Sequence, residues 1–98
     1  MIVNNRDPFL GDVGTLISID VQQDISTATE VSIKFKKPNG TTGSWPAYLE
    51  GLGAVQYITV QGDLDQVGTW YLQAYVNMPT WRGHSSILSM TVRRPLTS

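Results

Sequence analysis

Val31-Ser32-Ile33-Lys34-Phe35-Lys36-Lys37-Pro38-Asn39-Gly40 is a strand that runs into a turn. Apolar side chains recur at every second position, so Val31, Ile33 and Phe35 share one face and Ser32, Lys34 and Lys36 the other. A period of two marks a β-strand with one buried face. Pro38 presets φ at the second turn position and Asn39-Gly40 tolerates positive φ, so the chain reverses here. Working outward, the same alternation predicts strands over 15–21, 42–49, 54–60, 69–76 and 86–93. Their inward sets are Ile17, Ile19 and Val21; Trp45, Ala47 and Leu49; Trp70, Leu72, Ala74 and Val76; and Leu88, Met90 and Val92. Pro46 marks the third strand as an edge or a bulge, because it has no N–H for a ladder. Ile25 interrupts the polar break at 22–30 and is expected to plug the core. The result is six or seven strands at short intervals, with no helical stretch long enough to cover a sheet. Sheet must therefore pack on sheet.

Composition narrows the function. Ninety-eight residues make one domain. Charged residues are 15% of the chain and the net charge is −1, so no global positive field exists to hold a nucleic acid. There are no cysteines, which removes disulfides and thiolate zinc sites. Residues 1–8 lack the basic and apolar stretches of a signal peptide, and no apolar run approaches the ~20 residues that cross a bilayer. Neither a nucleic acid nor a membrane is expected as a partner.

Few residues suggest chemistry. His84 is the single histidine, beside Ser85 and Ser86 in a segment, 77–85, that reads as a loop. Nothing in the spacing brings an acid to it, so no catalytic set is assigned. Asp63 and Asp65 lie two apart, but no loop is dense enough in oxygen ligands for calcium, and both read as capping groups in a corner turn. No metal or cofactor is expected. Binding residues are more apparent. Trp81 and Arg82 are side-chain types that dominate protein–protein contacts, although the tryptophan could equally fold back over the end of the domain. Tyr71 and Tyr75 lie outward on one strand with Gln73 between them, as a protein interface or a small sugar platform. Lys34, Lys36 and Lys37 read as a solubilising basic stripe that blocks edge pairing. The turn-rich segment 1–14 reads as an irregular arm carrying Ile2, Val3, Phe9 and Leu10.

Asp63-Leu64-Asp65-Gln66-Val67-Gly68-Thr69-Trp70-Tyr71-Leu72-Gln73-Ala74-Tyr75-Val76 resembles an immunoglobulin corner leading into its sixth strand: an acid, a glycine, then an aromatic anchor. Three further stretches extend the likeness: Gly11-Asp12-Val13-Gly14-Thr15, Asp24-Ile25-Ser26-Thr27-Ala28, and Val31-Ser32-Ile33-Lys34-Phe35-Lys36-Lys37-Pro38-Asn39-Gly40. Together they cover most of residues 11–92, and the chain resembles small immunoglobulin-like proteins of tailed bacteriophages, above all the N-terminal domain of baseplate upper proteins. The resemblance implies an all-β immunoglobulin-like sandwich of about seven strands over 15–98, without a disulfide, preceded by the arm. It implies a non-enzymatic structural component of the baseplate or tail, made in the host cytoplasm and located in the virion. Its partners would be other phage structural proteins and further copies of itself in a symmetric assembly. Candidate contacts are Phe9, Leu10, Tyr71, Tyr75, Trp81, Arg82 and His84. A capsid decoration or head-fibre protein, and a carbohydrate-binding module for host attachment, are the alternatives.

Overall fold

The computed structural model of the chain describes residues 7–96. These residues form eight strands: β1 Leu16–Asp20, β2 Glu30–Lys36, β3 Thr42–Pro46, β4 Tyr48–Glu50, β5 Ala54–Ile58, β6 Gly68–Met78, β7 Trp81–His84 and β8 Leu88–Val92. Among the described residues there is no helix. One sheet has the order β1-β5-β4. The other runs β3-β2-β6, and β7 and β8 share the remaining edge of β6. All strand pairs are antiparallel.

The two sheets pack face to face as a sandwich, because their inward sets meet in one core. Ile17, Ile19 and Val55 come from the smaller sheet; Ile33, Trp45, Trp70, Leu72, Ala74, Val76, Met90 and Val92 come from the larger. Alternation thus assigned the inward faces of β1, β2, β6 and β8 correctly. Ile25 is fully buried, as its isolation in a polar stretch implied. The Asp24 carboxylate holds that turn by accepting from the Ser26 N–H at 2.9 Å. That bond keeps the Asp24 carboxyl below its ordinary pKa. Aromatic rings fill one end of the core. Trp45 lies 4.7 Å from Phe35, 4.9 Å from Tyr57 and 6.1 Å from Trp70 between centroids.

Two expectations about strands need correction. The stretch 42–49 is not one strand. β3 ends at Pro46 and pairs with β2, whereas β4 begins at Tyr48 and pairs with β5 in the other sheet. Proline cannot extend the ladder, and the chain crosses between sheets at Ala47. The alternation survives the crossing because Trp45, Ala47 and Leu49 all touch the same core. The second correction concerns 77–85. β6 continues to Met78, Pro79 and Thr80 form the turn, and β7 returns along it with Met78 opposite Trp81.

The described part of the arm lies on the sandwich. Phe9 makes a parallel bridge with Arg93 just past β8. Leu10 N–H donates to the Arg93 carbonyl at 2.8 Å, and Arg93 N–H donates to the Pro8 carbonyl at 2.9 Å. Gly11 and Gly14 donate to the carbonyls of Leu64 and Thr59. Ile2 and Val3 lie outside the described residues.

Candidate functional site

The outward face of the larger sheet carries most of the residues singled out above. Register sets their neighbours. Lys36 lies opposite Tyr71, Lys34 opposite Gln73 and Ser32 opposite Tyr75 across the β2–β6 ladder. On the other side of β6, Tyr75 lies opposite His84 and Tyr71 opposite Ser89. Lys34 Nζ sits 3.2 Å from His84 Nε2. The Lys34 ammonium donates in this contact and Nε2 takes the acceptor role. The same ammonium lies 5.0 Å from the Tyr75 ring centroid, and His84 stacks obliquely on that ring at 5.3 Å. His84 therefore belongs to a strand and a small polar–aromatic cluster, not to a loop beside Ser85 and Ser86.

Below this cluster the face is open. Tyr71 is 49% exposed and Ile87, at the break before β8, is 64% exposed. They border a shallow groove of about 470 Å³ shared with Lys34, Lys36, Ser44 and Gln73. Large apolar side chains this exposed, grouped on one face, are characteristic of contact surfaces. Ile87 carried no signal in the sequence, because it falls out of phase with Leu88 and Met90.

Of the remaining candidates, only Arg82 shares this outward face. Trp81 is half-buried against the core and its indole lies over Gly83, whose lack of a side chain makes room for it. Arg82 points the other way, exposed, with Nε 3.4 Å from the Asn77 side-chain oxygen. Phe9 and Leu10 sit half-buried beyond β8, and Leu10 packs on the core. Lys37 does not belong to an outward stripe. Its ammonium turns in to Asp65 at 2.9 Å and lies 5.6 Å from the Trp70 ring and 5.8 Å from the Phe35 ring. The lysine thereby closes the aromatic end of the core beside the corner turn.

The corner itself is structural. Asp63 Oδ2 accepts from the Val60 N–H at 2.8 Å and from the Tyr57 hydroxyl at 2.6 Å. Burial first, and then this carboxylate, push the Tyr57 phenol up to about 12. Trp70 Nε1–H donates to the Gln66 carbonyl at 3.0 Å, so its polar end is satisfied inside the core. Ser85 also has a structural task. Its hydroxyl accepts from the Ala74 N–H at 2.9 Å where the edge of β6 passes from β7 to β8. Among the described residues no three His, Asp or Glu side chains are grouped to hold a metal.

No family model, curated protein or solved structure matches this chain. The outward face of the larger sheet combines exposed rings, an exposed isoleucine and two lysines. That combination suits contact with another surface through apolar burial at the centre and charge at the edge.

Proposed function

We propose that this domain is a non-enzymatic structural part of a tailed phage particle, in the baseplate or tail, and works by protein–protein contact. The carrying observation is the outward face of the larger sheet, where Tyr71 and Ile87 stand exposed beside Lys34 and Lys36. The order of strands supports an immunoglobulin-type sandwich. β1-β5-β4 corresponds to strands B, E and D, and β3-β2-β6-β8 to C′, C, F and G. The placement in a phage particle draws on the sequence resemblance described above. Many copies in a symmetric assembly would offset a modest affinity per contact.

The experiment is fractionation of purified particles on a gradient, with mass spectrometry of the particle band. The protein should migrate with the particles, and Tyr71→Ala with Ile87→Ser should reduce its incorporation while leaving the isolated domain folded. Absence of the wild-type protein from particles would reject the reading.

A second reading, glycan binding, is favoured by one observation. Tyr71, Gln73 and Ser44 line the same open groove, giving a ring face beside hydrogen-bonding groups. A glycan array probed with the purified domain separates the two.

A further inference from the structure

We infer that the two outer faces of the sandwich are complementary to each other, and that copies of this chain stack head to tail, the larger sheet of one on the smaller sheet of the next. The inference rests on the reading of a multi-copy structural protein and adds the surface and the symmetry.

Charge is the first observation. The strands of the smaller sheet carry Asp20 and Glu50 and no lysine or arginine. Both acids are exposed, each next to an inward-facing residue, Ile19 or the partly buried Leu49, and lie opposite Ala54 on either side of β5. The strands of the larger sheet carry Lys34, Lys36 and Arg82 against Glu30 alone. The two ion pairs of the described residues, Lys37–Asp65 and Arg93–Asp7, involve none of these groups. One face thus keeps two free negative charges and the other a net two positive. The strand charges of a nearly neutral chain are thus divided by sign between the two faces.

Apolar shape is the second. The smaller sheet projects Tyr48, 43% exposed, and Ile58, 49% exposed. The larger sheet offers the groove bordered by Tyr71 and Ile87. Each face therefore has an apolar centre with charge beside it, of opposite sign. Opposite faces joining make a heterologous contact, which closes into a ring or grows as a filament according to the rotation between copies. Like faces would bring like charges together, which disfavours a two-fold pair.

The test is sedimentation velocity of the full chain against concentration and salt. The wild type should exceed its monomer mass of 10.8 kDa at low salt. It should return to monomer toward about 0.5 M salt, where the Debye length falls to a few ångströms. Two variants reverse one face each. K34E/K36E makes the larger sheet acidic. D20N/E50K makes the smaller sheet basic, and the asparagine keeps the acceptor that Gln22 N–H uses at 2.7 Å. Each variant, folded by circular dichroism, should be monomeric alone, and an equimolar mixture should associate again. A mixture that stays monomeric, a variant that associates alone like the wild type, or a wild type that stays at monomer mass at millimolar concentration overturns the inference. The last result would leave the basic face to a different acidic partner. The proposed role is judged separately: a protein monomeric in solution yet present in particles refutes the stacking and leaves that role standing.

Discussion

The rings of Trp45 and Tyr57 stack across the sandwich, 4.9 Å between centroids and 10° from parallel. Trp45 comes from β3 in one sheet and Tyr57 from β5 in the other, so the stack ties the layers together. The same tyrosine reaches past the core to Asp63 in the corner turn. One side chain therefore couples sheet packing to the turn that launches β6.

That coupling predicts a pH dependence in the alkaline range. The Tyr57 phenol titrates near 12 in the folded protein, above its usual value of 10. The folded state favours the protonated form. The contribution is therefore complete below pH 10 and is lost as pH rises toward 12. Denaturation midpoints should fall across that window in the wild type. Tyr57→Phe should cost about 1 kcal/mol at neutral pH through the lost hydrogen bond and should flatten the alkaline decline. An unchanged decline in the variant would place its origin in other groups.

Trp70 and Tyr71 are neighbours in sequence with opposite fates. Trp70 is fully buried, whereas Tyr71 is 49% exposed. Trp70→Ala should cost about 3–5 kcal/mol, a large part of the 5–15 kcal/mol that holds a typical domain together. Tyr71→Ala should stay within about 0.5 kcal/mol. Urea titrations of both variants measure the difference, and the reverse order would put β6 in the wrong phase.

The faces of β2, β6 and β8 were legible because each has apolar residues at strict alternation and one buried side. The crossing at Ala47 was not, since a chain that changes sheets while circling one core keeps the same inward phase. β7 was hidden for another reason. Trp81-Arg82-Gly83-His84 has no apolar alternation, and its pairing follows from the length of β6 instead. Of the interaction surface, Tyr71 and Tyr75 could be read from the phase of β6. Lys34 beside His84 could not, because that contact joins residues fifty apart. Lys37 misled for a local reason: it lies just past the last residue of β2, where the turn aims it at Asp65.

Ser85 should matter more than Ser86. The break between β7 and β8 leaves the buried Ala74 N–H without a backbone partner, and the Ser85 hydroxyl takes that place. Ser85→Ala should cost about 1–3 kcal/mol, the range for a buried donor left unpaired. The exposed Ser86 should tolerate alanine within about 0.5 kcal/mol. Amide exchange gives a second readout, because the Ala74 N–H should lose protection in the Ser85 variant alone. Equal behaviour of the two variants would mean that water or the neighbouring carbonyl takes over the bond.

Trp81 separates stability from contact. A tryptophan at a hairpin end invites assignment to a partner surface, yet this one lies over Gly83 and against the core beside Met78. Its burial is partial, so Trp81→Ala should cost about 1–3 kcal/mol, less than a fully buried tryptophan. Gly83→Ala gives the complementary perturbation. A methyl group at that position meets the indole of Trp81, so the ring must move while its own surface stays intact. Near-ultraviolet circular dichroism should change in Gly83→Ala, and the denaturation midpoint should fall with it. Arg82, exposed on the opposite side of β7, supplies the control: Arg82→Ala should leave the midpoint unchanged. If Trp81→Ala were neutral for stability while its incorporation into particles failed, the indole would be a contact residue and its seat over Gly83 incidental. A loss of stability with normal incorporation at low temperature would assign it to the fold.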